Sequence, residues 1–119
     1  MNEQGALDAF LALSNATRLR MLKCLVAAAP DGMIAGEIAK AVGASPSRAS
    51  FHLTAMSEAG LVTATKHSRQ ITYAVDFNAM GALARYLLED CCQQNAVVMS
   101  CCGIDFGAAS TTFKADDDT

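Results

Sequence analysis

The chain has 119 residues, 52% hydrophobic and 18% charged, with a formal charge of −3 and five cysteines. That length suits one domain with a real core, and so apolar a small chain is expected to keep apolar surface for self-association. No run approaches the ~18 apolar residues of a membrane span and the start has no basic, cleavable leader, so a cytoplasmic, non-membrane protein with reduced thiols is expected.

Ala6–Leu13 places Leu7, Phe10, Leu11 and Ala12 or Leu13 at helical spacing, ending near Ser14-Asn15. Thr17–Ala29 predicts a second helix through Leu19, Leu22, Leu25 and Val26, with Arg18, Arg20 and Lys23 on other faces. Its Cys24 lies among apolar neighbours, where a lone helical cysteine is ordinarily a small buried hydrophobe. Pro30-Asp31-Gly32 predicts a turn. Met33–Val42 predicts a third helix through Ile34, Ile38, Ala41 and Val42, and Gly43-Ala44-Ser45 breaks it.

The stretch Ser45–Val62 organises the rest. Ser45 can cap a helix whose first residue is Pro46, where the missing N–H costs nothing and φ is already helical. Ala49, Leu53 and Met56 then form an apolar stripe, while Ser47, Arg48, Ser50, His52, Thr54 and Ser57 crowd the other faces with short donors around one arginine. Gly60 ends the helix. Such a face also suits plain solvation. After a helix and a glycine-containing turn, however, it fits the second member of a helix-turn-helix pair, laid in a major groove with Ser47, Arg48, Ser50 and His52 toward the bases. Arginine can bond guanine O6 and N7 bidentately there.

Leu61–Lys66 and Gln70–Val75 alternate in the manner of strands and flank His67-Ser68-Arg69, which predicts a hairpin directly after the reading helix. Hairpin tips are normally polar, but Lys66, His67 and Arg69 within four positions favour contact with a phosphate backbone or minor groove. The tip lacks the Asn-Gly or Asp-Gly of a tight two-residue turn. Charge distribution agrees with a nucleic-acid partner. Ser14–Val75 holds seven basic and three acidic residues, a local +4, whereas Asp105 and Asp116–Asp118 load the tail with negative charge. Local field, not the total, steers a protein to phosphate.

Asp76 can cap a helix from Phe77 toward Cys92, whose Met80, Leu83, Ala84, Leu87, Leu88 and Cys91 make a broad apolar stripe suited to a symmetry mate or the first helix. Periodicity fades from Asn95, and Gly103–Thr119 reads as a flexible tail. The expected organisation is a DNA-binding and dimerisation domain over 1–92 and a cysteine-bearing segment over 93–119. The fold class is mainly α with a β-hairpin: a winged helix-turn-helix homodimer.

Ser14-Asn15-Ala16-Thr17-Arg18-Leu19-Arg20-Met21-Leu22, Ser50-Phe51-His52-Leu53-Thr54-Ala55-Met56 and Ala59-Gly60-Leu61-Val62, with the basic hairpin ending at Tyr73, resemble the ArsR/SmtB family of metal- and metalloid-responsive repressors. The resemblance covers about Ala6 to Cys92. It implies a winged helix-turn-helix homodimer that represses transcription on operator DNA until an inducer binds. The family's thiolate motif on the helix before the reading helix has no counterpart in Gly36-Glu37-Ile38-Ala39-Lys40-Ala41-Val42. Nor does the zinc site on the last helix, since His52 and His67 both lie in the DNA-binding half.

What remains is Cys91-Cys92 and Cys101-Cys102, two adjacent pairs separated by eight residues. Soft thiolates favour thiophilic acceptors over hard cations. Trivalent arsenic or antimony, inorganic or as an organoarsenical, needs only two or three sulfurs, and relatives with cysteines just past this helix are arsenic-responsive. As(III) or Sb(III) is therefore the expected inducer, with no permanent cofactor. Zinc, cadmium or lead in a four-sulfur site is a second possibility, although such sites usually put two residues between paired cysteines. A redox or persulfide switch, pairing Cys24 with Cys91 or Cys92, is a third. A thiol reductase or metalloid carrier belongs to another class. Against it stand the missing Cys-x-x-Cys at a helix start, phosphate loop and paired catalytic carboxylates, so a non-enzyme is expected.

Overall fold

Two asparagines open the first two helices by the same means. Asn2 Oδ1 accepts from Gly5 N at 2.8 Å ahead of α1 (Glu3–Leu13), and Asn15 Oδ1 accepts from Arg18 N at 3.0 Å ahead of α2 (Ala16–Ala27). Each satisfies a backbone N–H that no helical carbonyl reaches. The computed structural model describes residues 1–103. After α2 come β1 (Met33–Ile34), α3 (Ala35–Val42), α4 (Pro46–Glu58), β2 (Val62–His67), β3 (Gln70–Val75), α5 (Phe77–Arg85), a π-helical segment (Tyr86–Cys91) and α6 (Ala96–Cys102). This is the expected class, a helical chain with a β-hairpin wing behind a helix-turn-helix pair. None of the described helices is long and apolar enough to cross a membrane. The chain divides into Met1–Leu83 and a second unit from Ala84 on, where the sequence suggested a boundary after residue 92.

In the first unit Met21 and Leu25 of α2, Ile38 of α3, Leu53 and Met56 of α4, and Leu61 are fully buried. Burial of a side chain of that size contributes roughly 1.5–3 kcal/mol before entropy is counted. The expected stripe on α1 is displaced. Ala6, Ala9 and Ala12 face inward, while Leu7 and Leu11 remain 52% and 72% exposed and Phe10 is also exposed. Three methyl side chains let α1 lie close to α2 and α4, and its larger apolar groups are left outside.

Met33 and Ile34, expected at the start of the third helix, form a third strand instead. Met33 pairs with Tyr73 and Ile34 with Thr72, giving an antiparallel sheet in the order β1-β3-β2. The edge of β3 offers backbone groups that a helical Met33 would leave unpaired, and α3 starts one step later, with Glu37 Oε1 accepting from Ile34 N at 3.2 Å. Gly32 makes the approach possible. Its φ is +84°, and a Cβ there would lie 2.4 Å from the Tyr73 carbonyl oxygen, so only glycine fits.

The expected hairpin forms, but burial does not alternate along its strands, and His67, expected in the connection, pairs with Gln70 as the last residue of β2, which leaves Ser68-Arg69 as a two-residue loop. Ser68 takes φ +57°, the left-handed region that Asn-Gly turns supply with less strain. Asp76 N donates to Leu61 O at 3.0 Å, tying the exit of the hairpin to its entrance. Asp76 Oδ1 accepts from Ala79 N at 3.1 Å, the expected cap of α5.

In the second unit the helix predicted to run to Cys92 changes winding at Tyr86 and ends after Cys91. Gln93 and Gln94 follow at φ +50° and +57°, a reversal that no α-helix continues through. Asn95 Oδ1 then accepts from Val97 N at 2.9 Å and opens α6, where fading periodicity had suggested no element. The reason is local. A cap and an αL glycine, Gly103, bound a helix too short for periodicity to reveal. The tail reading lies, past Gly103, outside the described residues.

Candidate nucleic-acid interface

The turn between α3 and α4 is closed by Gly43 at φ +71°, with Ala44 N donating to Ala39 O at 2.9 Å. Ser45 Oγ accepts from Arg48 N at 3.2 Å and Pro46 follows it, so α4 starts where its residues predict. Ala49, Leu53 and Met56 are buried, and Ser47, Arg48, Ser50 and Thr54 are exposed on the opposite side. Lys66, His67 and Arg69 are exposed at the hairpin tip. A shallow concavity of about 260 Å3 is lined by Ser50 of α4, by Arg69, Gln70 and Ile71 of the wing and by Ile34 of β1. Reading helix and wing thus meet at one surface, with Ser50 and Arg69 lining the same concavity.

His52 departs from the expectation. It is only 7% exposed, and its Nδ1 accepts from Arg18 Nε at 3.0 Å, while Arg18 Nη1 donates to Ala12 O at 3.4 Å. The imidazole is therefore bound inward, bridging α4 to α2, and Arg18 carries the link to the end of α1. Spacing held the signal: His52 stands three residues after Ala49 and four before Met56, within reach of the apolar stripe. Phe51 differs in the opposite sense. It is 66% exposed at the centre of the donor face, its ring edge-on to His52 at 5.7 Å between centroids.

Burial first, then the nearby charges of Arg18 and Arg48, hold the His52 pKa below the usual imidazole range. An Nδ1 that accepts from Arg18 must also be unprotonated. The unfolded chain takes up this proton near pH 6.5, as free histidine does, and the folded chain only at lower pH. The stabilisation is thus complete above that range and is lost as pH falls through and below about 6.5. Urea midpoints at pH 7.5 and 5.5 should show a larger acid loss for the parent than for His52→Gln. Equal losses would show that His52 does not carry the effect.

The four C-terminal cysteines do not gather at one point. Cys92 O accepts from Asn95 N at 2.9 Å, so the first pair sits at the N-terminal end of α6, and Cys101-Cys102 are its last residues. A helix of seven residues is about 10 Å long. Among the described residues no three His, Cys, Asp or Glu side chains form a ready-made metal cluster. Cys91, Cys101 and Cys102 are exposed free thiols, and Cys92 and Cys24 are half-buried ones. Each vicinal pair offers two soft donors in an accessible place. This donor set suits an acceptor satisfied by two sulfurs better than a tetrahedral ion that needs four.

A helix-turn-helix whose second helix presents hydroxyls and an arginine, followed by a basic wing on the same surface, defines a DNA-binding transcriptional regulator. Residues 13–64 match the family described as "Helix-turn-helix domain". The chain is 33% identical over 72 residues to the HTH-type transcriptional regulator YgaV of Escherichia coli (strain K12), covering 60% of this chain and 71% of that one. Among solved structures, an ArsR-like transcriptional regulator from Rhodococcus sp. RHA1 is 26% identical, with a TM-score of 0.67 over 82% of this chain and 90% of that one. The AntR antimony-specific transcriptional repressor is also 26% identical, with a TM-score of 0.57 over 80% and 82%. The chain belongs to the HTH-type transcriptional regulators, and its winged helix-turn-helix fold is similar to that of ArsR-like regulators.

Proposed function

We propose that the chain is a homodimeric repressor. It grips operator double-stranded DNA through α4 and the wing, and releases it when trivalent arsenic or antimony, inorganic or organic, bonds to vicinal thiolates among Cys91, Cys92, Cys101 and Cys102. The observation that carries this reading is the pair of accessible Cys-Cys steps bracketing α6 in a chain otherwise built as a DNA reader. The likeness to AntR, an antimony-specific repressor by description, supports the same class of inducer. Dimerisation is supported by Leu7, Phe10 and Leu11, which leave a row of large apolar groups exposed along α1.

The mechanism is one of linkage. A two-fold dimer sets its two α4 helices at a fixed spacing, and only a spacing near the ~34 Å helical repeat lets both enter successive major grooves. Bonding of a metalloid across neighbouring sulfurs selects one conformation of the Cys91–Cys102 segment. If that conformation belongs to the wrong spacing, operator affinity falls by the coupling free energy, typically about 1–3 kcal/mol per site. Each sulfur would bond by replacing a hydroxyl of the trivalent hydroxide, the thiol proton leaving with that hydroxyl as water. Ser47, Arg48 and Ser50 contribute base and phosphate contacts, and Lys66, His67 and Arg69 hold the flanking backbone.

The test is a mobility shift with the duplex upstream of the chain's own gene, with and without arsenite. Arsenite should release the DNA, and zinc, cadmium or polysulfide at equal concentration should not. Release by one of those alone transfers the sensor to another inducer class. Failure to bind the duplex in every condition overturns the repressor itself.

A further inference from the structure

Ser47, Ser50, Phe51 and Thr54 follow one another at intervals of three, one and three, and all four are exposed. They form the outward stripe of α4, opposite the buried Ala49, Leu53 and Met56. Three of them are short hydroxyl donors and acceptors. The fourth, near the middle, is a phenyl ring with two-thirds of its surface in water. Exposure of that size on a helix otherwise clothed in polar groups calls for a partner, and the neighbourhood specifies one. Phe51 shares a concavity of about 390 Å3 with Ser45, Ser47, Arg48 and His52, so any groove occupied by Arg48 also meets the ring.

The ring is held in place from behind. His52 meets it edge-on at 5.7 Å, and the imidazole is itself fixed by the 3.0 Å bond from Arg18. A phenyl group has two torsions to lose and no hydrogen bond to make, so it can only recognise an apolar feature. The major groove offers one such group, the C5-methyl of thymine. A cytosine at the same place presents an amino donor that the ring would leave without water or partner.

We infer that Phe51 is a specificity-determining residue that packs on the C5-methyl of a thymine beside the base pair met by Arg48. This rests on the DNA-binding reading above and adds to it a particular base and a particular atom.

The experiment starts from a random-sequence duplex pool, from which the full-length protein selects a site. Each thymine of that site is then replaced in turn by deoxyuridine, which removes only the methyl. One position per half-site should lose about fourfold in affinity, the change that ~0.8 kcal/mol of methyl burial corresponds to. Phe51→Ala should bind the thymine duplex correspondingly more weakly and be indifferent to deoxyuridine, and Phe51→Leu should retain part of the discrimination. Because Phe51 is exposed, these variants remove no core contact, and a matching circular dichroism melt checks their folding. A pool that yields no enriched sequence overturns the DNA-reading assignment and this one with it. A selected site bound equally well with deoxyuridine throughout overturns the methyl contact and leaves the reader intact. A deoxyuridine loss that persists in Phe51→Ala assigns the contact to another residue.

Discussion

A protein carrying serine at Cys91, Cys92, Cys101 and Cys102 is expected to bind its operator within about twofold of the parent and to ignore arsenite that releases the parent at least tenfold. Coupling free energies of 1–3 kcal/mol correspond to about 5–150-fold per site, and a dimer with two sites multiplies them. The substitution keeps side-chain size and changes only the soft donor, so the loss isolates sulfur chemistry from packing. The pairs can be separated too. One pair precedes α6 and the other ends it, so Cys91→Ser with Cys92→Ser and Cys101→Ser with Cys102→Ser are distinct experiments. Phenylarsine oxide, which has two open bonding positions, should still release DNA from whichever double variant keeps the operative pair. Arsenite, able to take a third sulfur, should be weakened in both if it bridges the ends or draws on a second subunit. A four-serine protein that lets go of DNA normally would refute the proposed site.

Arg48→Ala is expected to weaken operator binding by about 5–150-fold per half-site, the range of one lost bidentate contact with guanine, and to relax selection at that base pair. Arg48 is exposed in the first turn of α4, and only its backbone N–H takes part in the cap from Ser45. Alanine keeps that bond and is the better helix former, so stability should be unchanged. The wing gives the contrast. Lys66→Ala or Arg69→Ala should weaken all sequences alike and lower the slope of log affinity against log salt by about one, as loss of a phosphate contact does. Fluorescence anisotropy on the selected duplex and a scrambled one, over a salt series, separates the two patterns. If Arg48→Ala behaves as the wing variants do, Arg48 is a phosphate anchor rather than a reader.

Much of the reader was legible because its determinants are local. Ser45 and Pro46 set where α4 starts, Ala49, Leu53 and Met56 set which side is buried, and the β-branched residues on either side of Ser68-Arg69 mark the hairpin to within one residue. Caps, turn residues and periodicity act within a few positions, so the chain states them without help from its fold. The vicinal cysteines are equally plain, since adjacency is a property of sequence alone.

The rest depended on partners far along the chain. Spacing puts His52 within reach of the apolar stripe, but the partner of its Nδ1 is Arg18, 34 residues away, and nothing near position 52 announces that bond. Met33 and Ile34 are a strand only because β3 presents an open edge some 40 residues later, and Gly32 leaves room for it. Alanines rather than leucines face α2 and α4 on α1, a choice of side that local hydrophobicity cannot report. Short-range rules decided what each segment of this chain is. Close packing and hydrogen bonding between distant segments decided which side chains remain outside to meet DNA, and which are spent holding the reader in place.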